Sequence, residues 1–183
     1  MPYVVVACQV LTALTFLAAA VGKLRSRAAY AGFVAELDAW PLVPAGLRPA
    51  AARAVCVAEA SVPVLLAVPV TRTAGAGLSA LLLAAFLTAM ILLRIRGTAA
   101  RCTCFGRTPA TLGARHLVRT TLLLGGASAA WLGQGVDEPA TVGGVLIAAG
   151  FGALGALVAV TLDDIADTVR QVPAHGVTHT SRS

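Results

Sequence analysis

Residues 3–22 read YVVVACQVLTALTFLAAAVG, twenty positions without one charge, and KLRSR follows at residues 23–27. At ~1.5 Å per residue, a helix of that length just crosses the ~30 Å hydrocarbon layer of a bilayer. The order of charges matters as much as the length. A cleavable signal peptide carries its positive charge ahead of the apolar run, whereas Lys23, Arg25 and Arg27 come behind it. Ala18-Ala19-Ala20 imitates a cleavage site, but the charge order argues for an uncleaved anchor with its N-terminus outside.

Composition extends this pattern to the whole chain. Of 183 residues, 58% are apolar and 12% charged, and the mean hydropathy is +0.85. A water-soluble surface is about a quarter charged or more, so lipid must solvate most of this one. The net charge of +6 could suit nucleic acid, but the basic residues sit between apolar runs, as topology signals do. No nucleic-acid partner is expected; the bilayer is. Four cysteines in so apolar a chain do not make a disulfide framework.

Further spans are expected at about 50–70, 74–93, 117–132 and 142–162. Arg53 stands at the inner end of the second, and Pro63 and Pro69 lie within or near it; membrane helices tolerate proline where neighbours satisfy the freed carbonyl. The third carries no charge and ends in Arg94 and Arg96, the fourth is short, and Asp137-Glu138-Pro139 make an outer turn. Residues 163–183 read as a polar tail, disordered at its end. Between the first two spans, Ser26 can cap a short helix whose Tyr30, Phe33, Val34 and Leu37 form one apolar stripe, ended by Pro41 and Pro44. An amphipathic helix on the cytoplasmic surface and a plain connecting loop fit that segment equally well.

Five spans put residues 23–53, residues 94–119 and the tail on one side, with 13 of the 14 Lys and Arg residues and only Arg72 opposite. Basic residues mark the cytoplasmic side. The N-terminus is then outside the cell (inner) membrane, and the loop near residue 100 and the C-terminus are cytoplasmic. Gly144, Ala148, Gly152 and Ala156 form a ridge of small residues at four-residue spacing, and Gly125/Ala129 and Gly126/Ala130 repeat the device. Such ridges let membrane helices approach closely.

Two features could carry chemistry. Arg101-Cys102-Thr103-Cys104-Phe105-Gly106-Arg107 interrupts the apolar spans with two thiols one residue apart. In an extended chain their Cα atoms lie near the ~7 Å limit for bridging, so a bond needs a bent, strained backbone and is readily reduced. Arg101, Arg107 and Arg115 favour the thiolate. Free surface cysteines, or a Cys102/Cys104/His116 site for copper or zinc without an evident fourth ligand, remain alternatives. The second feature is Glu59, about six residues or ~9 Å into the membrane from Arg53. An unpaired charge there costs about 2–3 kcal/mol, so a partner is expected among Lys23, Arg115 and Arg119. A clamp between helices and a proton-handling or quinone-binding role are evenly matched. Cys56, one turn before Glu59, could exchange with the loop dithiol or simply pack; Cys8 is too distant to do so.

Gly22-Lys23-Leu24, Leu42-Val43-Pro44, Glu59, Arg96-Gly97, Cys102-Thr103-Cys104-Phe105-Gly106 and Arg119 follow one another in an order that resembles the methylamine-utilisation MauE branch of the DoxX-like membrane proteins. One departure is Thr120, where that pattern has Asn after the Arg. The resemblance implies an all-α integral membrane fold, a four-helix transmembrane bundle plus an additional C-terminal transmembrane helix. It implies a role in maturing or exporting the disulfide-rich small subunit of methylamine dehydrogenase beside a thioredoxin-like partner. Some relatives are associated with quinone. Such clients fold outside, whereas charge counting puts the dithiol inside. A relay across the membrane, a loop folded back into the bundle, and an exception to the charge rule all stay open.

The expected function is thiol–disulfide exchange in the membrane. Cys102 and Cys104 are the redox pair, Lys23 and Arg119 tune or anchor Glu59, and Phe105 and Gly106 are supporting residues. A non-catalytic scaffold for a redox partner and a metal or small-solute carrier are the alternatives.

Overall fold

The computed structural model describes residues 1–38, 43–96, 101–102, 110–111, 114–134 and 140–171, with side chains for 1–37, 43–96, 116–134 and 140–161. The helices are α1 (Pro2–Leu24), α2 (Arg27–Asp38), α3 (Arg48–Ala67), α4 (Arg72–Ile95), α5 (Ala114–Leu132) and α6 (Val142–Gln171). One-turn 3-10 helices, Ala45–Leu47 and Pro69–Thr71, lead into α3 and α4. Prolines set several of these boundaries. Pro2 and Pro49 occupy the first turns of α1 and α3, where a fixed φ helps and the missing N–H would have no partner anyway. Pro63 lies inside α3, so the carbonyl of Glu59, four residues earlier, loses its usual donor.

The bundle is organised on α1, which packs against α3, α5 and α6, while α4 packs against α3 and α5. Where α1, α3, α4 and α5 meet, Phe16, Val62, Leu66, Leu83, Leu123 and Ala127 are buried together. Helix α6 leans on α1 through the expected ridge. A side chain at Gly152 would strike the Ala7 carbonyl and Val10, one at Gly144 would strike the Tyr3 ring, and Ala148 and Ala156 are buried in the same row. In α5 only one of the two expected rows is used. Gly126 faces the Cys8 Sγ and Ala130 is buried, whereas Gly125 is exposed with nothing near it. A helix turns one side to a neighbour, and adjacent residues cannot both lie on it. Gly75 supplies a contact the sequence did not advertise, where α4 crosses the backbone of α3 at Leu65 and Leu66.

Among the described residues, four stretches are long and apolar enough to cross a membrane: Pro2–Leu24, Ala45–Ala67, Pro69–Ile95 and Val142–Thr161. The expected fourth span, α5, is not among them. It has 19 residues, and Arg115, His116 and Arg119 occupy its first turns. Beyond Leu162, where a polar tail was expected to begin, α6 continues as helix through Gln171. Two buried hydroxyls inside the apolar helices close on their own backbone: Thr15 donates to Leu11 O at 2.7 Å, and Ser79 to Ala76 O at 2.8 Å. That removes the cost of an unpaired polar group in lipid.

The segment after Ser26 is a helix rather than a loop. Ser26 Oγ accepts from the Ala29 N–H at 3.0 Å. The apolar stripe turns toward protein rather than lipid: Phe33 and Leu37 are buried against Ala52 and Cys56 of α3. The all-helical expectation meets one small exception. Strands β1 (Arg101–Cys102) and β2 (Ala110–Thr111) pair antiparallel, Arg101 with Thr111 and Cys102 with Ala110.

Candidate functional site

At the end of α1, Lys23 Nζ donates to both carboxylate oxygens of Glu59, at 2.5 Å to Oε1 and 2.6 Å to Oε2. Both residues are almost sealed, 4% and 2% exposed. The sequence left Lys23, Arg115 and Arg119 as candidate partners, and Lys23 makes the bidentate contact. The remaining side of the ammonium is covered by rings. Phe33 of α2 lies with its centroid 4.6 Å from Nζ, and Phe86 of α4 with its centroid 5.6 Å away. An aromatic face attracts a cation most strongly where water is absent, so three helices beyond α1 complete one charged centre.

Local sequence explains each placement. Lys23 is the basic residue of α1's last turn, where the carbonyl ends of the helix favour a cation. Phe33 belongs to the α2 stripe, and its burial against α3 swings it over Lys23. Glu59 sits one helical turn before Pro63. Cys56, buried one turn earlier, lies within electrostatic reach of both Lys23 and Glu59.

Behind the rings is a cavity of about 240 Å³ between α2, α3 and α4. Phe33, Leu37, Val55, Leu82 and Phe86 make it apolar, and Glu36 brings a carboxylate to its lining. Phe33 and Phe86 therefore have two faces in use, one toward Lys23 and one toward the cavity. Neither Phe86 nor Glu36 was singled out from the sequence. Phe86 is the one aromatic residue of α4, which could have singled it out.

The loop residues stand differently. Cys102 ends β1 opposite Ala110, while Cys104, Phe105 and Gly106 lie outside the described residues. Arg119 is half-buried near the start of α5. Cys56 and Cys8 are free thiols, and Cys8 lies beside Gly126. Fifteen residues separate Cys8 from Lys23 along α1, ~22 Å at the helical rise, so Cys8 is remote from the ion pair. Among the described residues no cluster of three His, Cys, Asp or Glu could hold a metal.

A family model described as methylamine utilisation protein MauE matches residues 1–133. The chain belongs to the MauE family. The matched region runs from α1 through α5 and includes Lys23, Phe33, Glu59, Phe86 and the Cys102/Cys104 loop; α6 lies beyond it. No curated protein and no solved structure matches. This MauE-family chain is a multi-pass membrane protein, as its apolar helices and its family both indicate.

Proposed function

We propose that this protein carries out thiol–disulfide exchange at the cell (inner) membrane, with Cys102 and Cys104 as the dithiol and Lys23–Glu59 as the charged centre of the bundle. It serves the maturation or export of a disulfide-containing client beside a thioredoxin-like partner. The family's description names methylamine utilisation. The bundle crosses the membrane five times, with α5 the additional crossing and the N-terminus outside. The observation that carries the proposal is the β1–β2 pairing, which sets Cys102 opposite Ala110 in the sequence between α4 and α5. That pairing brings residues 102 and 110 together, which supports a bond between neighbouring thiols in the sequence they bracket.

Closing that bond releases two electrons and two protons, and an acceptor must take them. A quinone, which the family likeness implies, would supply that chemistry. The apolar cavity walled by Phe33, Leu82 and Phe86 is of a kind to hold its ring, with Glu36 at its lining. The second reading, a membrane scaffold without its own thiol cycle, is favoured by one observation: a bidentate, nearly sealed ion pair is also what a structural clamp between α1 and α3 needs.

The test is alkylation with a mass-tagged maleimide before and after reduction, in the Cys8→Ser/Cys56→Ser background. Two additional tags after reduction are expected. Equal labelling under both conditions overturns the cycling dithiol, and full function of Cys102→Ser/Cys104→Ser supports the scaffold.

A further inference from the structure

A second hollow lies toward the other end of α1, away from the ion pair. Helices α3 and α6 both pack on α1, and between them runs a groove of about 540 Å³ lined by Gln9, Val10, Ala13, Pro63, Leu66 and Val145, with Arg72 at its edge. From Val6 to Leu14 it follows α1 for ~12 Å at the helical rise. Every helix wall around it is one of the apolar spans, so the molecules that meet this groove are the acyl chains of the bilayer.

Charge narrows the choice of lipid. Arg72 is the one Lys or Arg outside the basic segments 23–53, 94–119 and 163–183. It is exposed, and its backbone is fixed from a neighbouring helix end. Gln134 Nε2 donates to the Arg72 carbonyl at 3.3 Å, and Thr73 Oγ1 donates to Gln134 Oε1 at 2.8 Å. An exposed arginine among the lining of an apolar groove matches a lipid phosphate, which a guanidinium binds through paired N–H groups. Gln9 adds an amide to the lining, a donor of the kind a glycerol ester carbonyl accepts from.

We propose that this groove is a binding site for one anionic phospholipid, with an acyl chain between α3 and α6, the phosphate on Arg72 and an ester carbonyl on Gln9. The site stands independently of the thiol chemistry, because it uses none of the same residues. Purified protein is exchanged into phosphatidylglycerol or phosphatidylcholine of the same chains, and retained lipid is read by native mass spectrometry. One phosphatidylglycerol per chain is expected to stay bound in preference to phosphatidylcholine. Arg72→Gln should lower that preference about fivefold, the worth of one basic residue at a lipid surface, and Arg72→Lys should keep most of it. Ala13→Trp, which fills the groove, should displace both lipids. Equal retention of the two lipids by the parent protein overturns the site. An unchanged preference in Arg72→Gln does so too. Should Ala13→Trp fail to fold, the Gln and Lys pair at Arg72 decides alone.

Discussion

Lys23 Nζ lies 2.5 Å from Oε1 and 2.6 Å from Oε2 of Glu59, so one ammonium on α1 closes both oxygens of one carboxylate on α3. Removing either partner alone strands a buried charge, which costs on the order of 3–5 kcal/mol, whereas replacing both by apolar groups is often neutral. Lys23→Met and Glu59→Gln should each lower the unfolding midpoint in detergent steeply. Lys23→Met/Glu59→Leu should recover most of the loss. The double variant also separates the two uses of the pair: retained client maturation identifies a clamp, and a folded but inactive protein identifies a centre with chemistry. Single variants as stable as the parent would contradict the pairing.

The rings over Lys23 give a second expectation. Phe33 is 7% exposed and its centroid is 4.6 Å from Nζ, against 5.6 Å for the half-buried Phe86. Phe33→Ala should therefore cost more than Phe86→Ala, at about 3–5 kcal/mol for a truncated core aromatic. Phe33→Leu keeps most of the apolar volume and loses only the ring's attraction for the cation, about 0.5–2 kcal/mol. A double-mutant cycle with Lys23→Met isolates that attraction: the cost of Phe33→Leu should shrink when the ammonium is gone. An equal cost in both backgrounds would show that Phe33 acts by packing alone.

How much of this was legible in the sequence follows from how each signal is written. Long apolar runs report membrane helices directly, so α1, α3 and α4 were readable within a few residues at each end and α6 at its start, while its last nine residues lie in a polar stretch that such a run cannot report. Glu59 was readable because a carboxylate deep in an apolar run demands a partner, and the partner lay within the three candidates named. The choice of Lys23 was not legible, because it depends on how α1 and α3 cross. The cavity was invisible for the same reason, although Phe86, the one aromatic residue of α4, was open to notice: apolar positions of a helix do not say which of them a neighbour will leave a hollow beside. The α2 stripe was seen, but a stripe cannot say whether lipid or α3 covers it. Gly125/Ala129 and Gly126/Ala130 were equally plausible ridges, and only the position of Cys8 on α1 chose between them.

The α1–α6 contact offers a test with its own control. A side chain at Gly152 would meet the Ala7 carbonyl and Val10, whereas one at Gly150 would meet nothing within 4 Å. Gly152→Leu should separate α6 from α1 and lower stability by a few kcal/mol, in the range of overpacked cores or beyond. Gly150→Leu should be close to neutral. Disulfide trapping between introduced cysteines on α1 and α6 reads the separation directly: Gly152→Leu should abolish it and Gly150→Leu should leave it. Equal trapping in both would mean that α6 docks elsewhere.

Whether α5 crosses the membrane decides the side on which the tail lies. Its composition argues weakly for a crossing, since Arg115, His116 and Arg119 crowd its first turns. Its packing argues more strongly. Leu123, Ala127 and Ala130 are buried. Near its last turn Trp131 faces Gly77, and Gln134 bonds Thr73, both close to the start of α4. Helix α5 thus runs back along a helix that itself meets the length for a crossing, and long basic side chains at its beginning can reach the headgroups. Charge agrees. Five crossings leave only Arg72 opposite the basic side, whereas four would move Arg170 and Arg182 across to join it, against the usual bias. Single cysteines introduced at residues 1, 98, 136 and 180 of a cysteine-free chain, labelled by an impermeant maleimide from each side, read the outcome. Residues 1 and 136 should label together from outside, and residues 98 and 180 together from within. Labelling of residue 180 from the same side as residue 1 would mean that α5 does not cross.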